Sequence, residues 1–218
     1  MSNLPLAILF DADGTLYDSS PLHFEAYRLV AKELYDFDFS WELFRAEILH
    51  GTKKAPEVLR DQGLDVEDEH FYVHKRAAYE KLAAERLRPL PGLLTFLRWC
   101  KHQGIRCYVV SASTRASLDL SLSTLGIADY FEGIVGHEDV GEDRKPHPLP
   151  YIRGLEKAAV LPAQTIAIED AANGVTSAKA AGIRCVGILN ATNDASHLAE
   201  ADHIIDHYNQ FKRYLLSL

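Results

Sequence analysis

The apolar stretch Leu6-Ala7-Ile8-Leu9 runs without a polar interruption into Phe10-Asp11-Ala12-Asp13-Gly14-Thr15, and few folds accommodate such a junction. An apolar run lacking polar alternation reads as a strand covered on both faces, the signature of a parallel sheet flanked by helices. Ligands of such sheets gather at the carboxyl ends of the strands. Asp11 and Asp13 stand at that end, and side chains two apart on a strand point the same way, so both acids can face one reacting centre. Gly14 lets the chain turn sharply and leaves room for a ligand. Taken alone, Asp-Ala-Asp-Gly is equally well explained as a simple turn. A calcium-binding loop would need an acid or Asn where Thr15 stands.

The strand signals then stop. Between about residues 21 and 88, apolar residues recur at helical spacing: Phe24, Tyr27 and Leu34, then Leu43, Phe44 and Ile48, then Val58 and Leu59, then Tyr72, Tyr79 and Leu82. This pattern predicts four helices. They lie between two breaks, Tyr17-Asp18-Ser19-Ser20 and Arg88-Pro89-Leu90-Pro91-Gly92, so residues 18–88 are expected to form a helical cap inserted into a core made of 1–17 and 89–218. From Gly92 onward, helical stretches alternate with short apolar runs at 107–110, 133–135, 165–168, 185–188 and 204–205. Alternation of this kind predicts an α/β core: a Rossmann-like parallel sheet with right-handed crossovers.

With 218 residues, 47% of them hydrophobic, the chain can bury a substantial core. Its net charge of -8, from 23 basic and 31 acidic residues, argues against non-specific binding to nucleic acid or to an anionic membrane. No segment approaches membrane-spanning length and no signal peptide is recognisable, so a cytoplasmic location is expected. Cys100, Cys107 and Cys185 are odd in number and lack Cys-x-x-Cys spacing, which predicts buried free thiols. Asn190-Ala191-Thr192 matches a glycosylation acceptor by pattern alone. His70/His74 and His203/His207 stand four apart, but the Glu of the zinc-protease pattern is missing, and both pairs are read as surface residues.

Three further signals fall at strand ends. Val110 runs into Ser111-Ala112-Ser113, Lys145 opens Lys-Pro-His-Pro, and Ile168 runs into Glu169-Asp170-Ala171-Ala172-Asn173-Gly174. Each has an ordinary structural explanation when alone: Ser111 as a helix N-cap, Lys145 as solvated surface, Glu169 and Asp170 as acids at a helix start. Together with Asp11 and Asp13, in this order, they make the chain resemble the haloacid dehalogenase superfamily of phosphotransferases, in the group with a helical cap after the first motif, near beta-phosphoglucomutase and phosphoglycolate phosphatase.

The resemblance implies a specific division of labour. Asp11 would attack phosphorus to form an aspartyl-phosphate, and Asp13 would act as acid and then base. Magnesium would be held by Asp11, the Asp13 carbonyl, Asp170 and Glu169, directly or through water. Lys145 would offset negative charge, while Ser111, Ala112, Gly14 and backbone N–H groups after Asp11 would hold the phosphoryl oxygens. Dehalogenases of this fold carry an aromatic residue at the second Asp, so Asp13 points to phosphate esters.

In the cap, His23 and Lys75 match residues of the mutases, and Lys54 falls where those enzymes place an Arg that holds a second phosphate. Lys lacks the bidentate fork of Arg, and Arg115 is an alternative anion contact. The expected activity is magnesium-dependent hydrolysis of a small sugar or polyol phosphate; the alternative is a phosphomutase of beta-phosphoglucomutase type. The expected partner is that small molecule, with neither nucleic acid nor membrane, and the chain is expected to be a monomer or weak dimer.

Overall fold

The computed structural model describes residues 4–49 and 51–218. By density of contacts the chain divides into two compact units: Ser19–Leu87, and the segment up to Asp18 together with Arg88–Leu218.

The larger unit is built on a parallel six-stranded sheet. In chain order it contains β1 (Ala7–Phe10), β2 (Arg106–Val110), β3 (Gly133–Val135), β4 (Thr165–Glu169), β5 (Arg184–Ile188) and β6 (His203–Ile205), arranged 3-2-1-4-5-6. Every pairing is parallel, as the uninterrupted apolar runs require. β1 is wholly buried at the centre. The β1-to-β2 crossover leads to one half of the sheet and the β3-to-β4 crossover returns to the other, so β1 and β4 flank the switch point beside which sheets of this kind bind ligands, at the carboxyl ends of the strands.

The smaller unit is helical. It comprises α1 (Ser20–Tyr35), the single turn α2 (Trp41–Leu43), which passes into a π-helical turn over Phe44–Leu49, then α3 (Ala55–Asp61) and α4 (Asp68–Arg86). The second predicted helix is thus mostly a wide π turn, begun by the Ser40 hydroxyl, which accepts from the Leu43 N–H. Phe39, Phe44, Leu59 and Phe71 are buried at the centre of this unit, with Trp41 packed against them.

The remaining helices belong to the larger unit: α5 (Leu93–Gln103), α6 (Arg115–Thr124), α7 (His137–Val140), α8 (Leu149–Ala158), α9 (Ala172–Ala180) and α10 (Tyr208–Leu216). Two were not anticipated. α7 is one turn long, too short for a periodic signal. α10 carries Tyr208, Phe211 and Leu215 at helical spacing and buries all three; its ring contacts with Phe96 of α5 fix it in place. Trp99 is only half-buried, lying beside Phe96 with the Lys212 ammonium over its ring.

Candidate active site

Register delivers the central residues. Phe10 of β1 is level with Val109 of β2 and with Ile168 of β4, so the next residues along, Asp11, Val110 and Glu169, reach the sheet edge at one height. The Asp11 N–H donates to the Ile168 carbonyl (3.0 Å), extending the sheet by one bond and fixing where its carboxylate emerges. Gly14 then turns the loop with φ +85°, and a Cβ there would run into the Asp170 carboxylate.

Lys145, between α7 and α8 and joined to Pro146 by a cis peptide, ties these strand ends together. Its Nζ donates to Asp11 Oδ1 (2.6 Å), Glu169 Oε1 (2.5 Å) and the Val110 carbonyl (2.8 Å). An ammonium has three donors, and all are used. The side chain is only 9% exposed, so these contacts act in a medium of low polarity. Tyr151 of α8 adds a fourth contact, donating its hydroxyl to Glu169 Oε1 (2.6 Å). Gly174 of α9 makes room for the Glu169 carboxylate, which a Cβ at that position would strike.

Asp170 is oriented from the loop after β5. Asn190 Nδ2 donates to Asp170 Oδ2 (2.9 Å) and to the Gly14 carbonyl (3.0 Å), while Asn193 Nδ2 donates to the Asp170 carbonyl (2.6 Å) and the Ile188 carbonyl (3.0 Å). Asn190 Oδ1 in turn accepts from Thr192, so the glycosylation-like triplet is a folded turn with its Asn engaged on both sides.

Carboxylates outnumber cations here. Burial, and then the charges of Glu169 and Asp170, push the Asp11 carboxyl well above its ordinary range, with Lys145 pulling the other way. Asp170 is pushed up to about 7 by burial and by Glu169, against the Asn190 hydrogen bond and Lys145. Burial would lower the Lys145 ammonium, but the charges of Asp11 and Glu169 outweigh it and hold Lys145 above its usual value. Ligand oxygens of Asp11, Glu169 and Asp170 lie within 4.8 Å of one another. An all-oxygen set, two of its acids buried and Asp170 half-buried, with more negative than positive charge suits a hard divalent cation such as magnesium.

The other predicted residues fall in different places. Asp13 lies beside this cluster, its Oδ2 accepting from the Ser113 hydroxyl (2.9 Å). Ser111 is buried, and its Oγ accepts from the Ser113 N–H (3.1 Å). It does not cap a helix, because Thr114 caps α6; nor do Glu169 and Asp170 start one, because α9 begins at Ala172. Ala112 is exposed. The Gly14 N–H donates to the Tyr17 carbonyl (2.7 Å), and the Thr15 and Leu16 N–H groups donate to Ala12, so amides of the turn itself are already engaged. Arg115 directs its guanidinium to Asp119 (3.1 Å).

Within the helical unit, Lys75 Nζ meets His23 Nδ1 (2.7 Å) and lies over the rings of Tyr27 and Tyr79, and His23 stacks on Tyr79. Lys54 is exposed, its backbone N–H donating to Glu57. His74 Nδ1 bonds the His70 carbonyl, and His203 stacks on Tyr214. All three cysteines are buried free thiols.

Residues 5–182 match the model of the haloacid dehalogenase-like hydrolases. The chain belongs to that family. As a haloacid dehalogenase-like hydrolase it is 32% identical, over 89% of its length and 90% of the relative's, to the phosphorylated carbohydrates phosphatase of Thermotoga maritima. It is 28% identical to the phosphoglycolate phosphatase of Pseudomonas putida, over 87% of this chain and 71% of that one. Its fold is similar to the crystal structure of CbbY from Rhodobacter sphaeroides in complex with phosphate, with a TM-score of 0.82, 26% identity, and coverage of 99% and 100% of the two chains. Among the described residues, no helix is long and apolar enough to cross a membrane.

Proposed function

We propose that this hydrolase is a magnesium-dependent phosphatase of small phosphorylated metabolites, sugar or polyol phosphates in particular, acting through an aspartyl-phosphate on Asp11. The observation that carries the reading is the Lys145 ammonium held between Asp11 and Glu169 at the carboxyl ends of β1 and β4. Lys145 keeps the nucleophilic carboxylate in place and offsets its charge as an anionic phosphoryl group approaches. The Asp11 carboxylate forms a bond to phosphorus while the bond to the leaving oxygen breaks, and Asp13 in its acid form passes a proton to that oxygen. Water then attacks the phosphorylated Asp11, Asp13 takes the water's proton, and phosphate leaves with the carboxylate restored. Asp11, Asp170, the Asp13 carbonyl and, directly or through water, Glu169 would hold magnesium, which would neutralise phosphoryl charge.

The phosphatase relatives from T. maritima and P. putida support a phosphate monoester as substrate. The same reading gives Ser111 to a phosphoryl oxygen and His23, Lys54 and Lys75 to recognition of the rest of the molecule. Lys54 offers a point charge in place of a fork, which favours water over a second substrate hydroxyl as the phosphoryl acceptor. A panel of sugar and polyol phosphates scored for phosphate release, with and without magnesium, tests both halves. Release that stops on chelation and returns with magnesium is expected. Conversion of glucose 1-phosphate to glucose 6-phosphate without free phosphate would assign a mutase instead, and full activity after chelation would remove the metal.

A further inference from the structure

We infer that Ser113 is a positioning residue for Asp13, holding its carboxyl group in one orientation for proton transfer. The inference rests on the reading of Asp13 as the acid and base of phosphate-ester hydrolysis.

The contact joins residues a hundred positions apart: Ser113 Oγ donates to Asp13 Oδ2 at 2.9 Å. Ser113 is itself held on three sides. Its N–H donates to Ser111 Oγ (3.1 Å), its carbonyl accepts from the His137 N–H (3.0 Å), and the next helix begins at once, with Thr114 as cap. The neighbouring Arg115 N–H donates to both oxygens of Glu138 at 3.1 and 2.9 Å, tying the loop after β2 to α7 a second time. Gly136 lies close under it, since a Cβ there would come within 3.2 Å of the Ser113 carbonyl. A backbone so constrained holds the Ser113 hydroxyl in one place beside Asp13.

The chemical consequence follows from the carboxyl group's two oxygens. Ser113 holds one of them, Oδ2, so the carboxyl group cannot turn freely about its bond to Cβ. Asp13 then keeps one orientation from the first step, in which it gives a proton to the leaving group, to the second, in which it takes one from water. A short proton path set in advance is worth most where the leaving group is a poor one, because a stable leaving anion departs without a proton.

The test uses that dependence. For wild type and Ser113→Ala, kcat/KM is measured on p-nitrophenyl phosphate, phenyl phosphate and glycerol 1-phosphate. This constant reports phosphoryl transfer to Asp11 and not the later hydrolysis. The expected loss is on the order of 10- to 100-fold for glycerol 1-phosphate and within about 3-fold for p-nitrophenyl phosphate, graded with the acidity of the leaving group. Ser113→Thr, which keeps the hydroxyl, is expected to restore most of the loss. In an Asp13→Asn background Ser113→Ala should add little. Because the readout is a ratio on one preparation, partial misfolding cancels.

Equal losses on all three substrates, a rise in KM alone, or a full additional loss in the Asp13→Asn background would overturn the inference. The two readings also fail separately. Turnover that survives Asp11→Asn would remove the aspartyl-phosphate reading itself, whereas a dead Asp11→Asn enzyme with a flat Ser113→Ala profile would remove only the role of Ser113.

Discussion

Asn190 shows how much of this site depends on residues with no acid or base chemistry of their own. One amide group holds Asp170 Oδ2 and the Gly14 carbonyl, locking an acid of the β4 edge to the turn that follows Asp11. Groups that orient metal-binding carboxylates typically contribute 10- to 100-fold to metal affinity. Asn190→Ala is therefore expected to weaken magnesium binding on the order of 10-fold, measured by titration calorimetry on the protein without substrate; an unchanged dissociation constant would show that Asp170 holds its position unaided. Residues such as Asp11, Lys145, Glu169 and Asp170 stood out in the sequence because each closes an apolar run or opens a Pro-containing loop. Ser113, Asn190 and Asn193 did not stand out as parts of this site, since an Asn or Ser in a loop looks the same whether it meets water or a partner 100 or 176 positions away, and Tyr151 lies within a helix. The one available signal was position: Asn190 stands two residues past the carboxyl end of β5.

Between elements, the same logic applies at the far edge of the sheet, where Asp202 joins α9, β5 and the start of β6. Its carboxylate accepts from Lys179 Nζ (2.7 Å) and from the Cys185 N–H (2.8 Å). Burial opposes ionisation, but these bonds and the Lys179 charge outweigh it and hold the Asp202 carboxyl below its ordinary value. A lowered folded-state value stabilises the fold above the unfolded value of about 4, and the contribution is lost as pH falls through the folded one. Asp202→Asn should accordingly lower the melting temperature at pH 7, and the difference from wild type should shrink as the melts are moved below about pH 4. A gap independent of pH would contradict this. Strands were the most legible elements, because β1, β2, β4 and β5 are almost wholly buried and so carry unbroken apolar runs. Helices were less so: the π turn at Phe44–Leu49 keeps apolar residues at a spacing that also fits an α-helix, and α7 is shorter than any period.

At the scale of the molecule, each unit closes its own core. The larger packs Leu9, Val110, Tyr151 and Ala167 around the sheet, and the smaller packs Phe39, Phe44, Leu59 and Phe71. Phe71 is fully buried, with Tyr27 stacked on it at 6.1 Å and Tyr72 edge-on at 5.8 Å. Phe71→Ala is expected to cost about 3–5 kcal/mol of stability, read from denaturant unfolding followed by circular dichroism. A loss under about 1 kcal/mol would mean that the helical unit repacks freely around the vacancy. The α/β fold class and the family were legible because four motifs fall at four strand or loop positions in a fixed order, a coincidence no single motif supplies. Substrate identity was not legible, because under the proposed function the strand-end cluster would meet only the phosphoryl group common to every phosphate monoester.

Esterification of Asp11 by phosphorus during turnover can be caught by rapid acid quenching of enzyme mixed with substrate and magnesium, followed by peptide mass spectrometry. A single phosphoryl adduct is expected on the peptide that contains Asp11, absent from the Asp11→Asn enzyme and from enzyme stripped of magnesium. Hydrolysis at full rate by Asp11→Asn, or an adduct on any other residue, would contradict it.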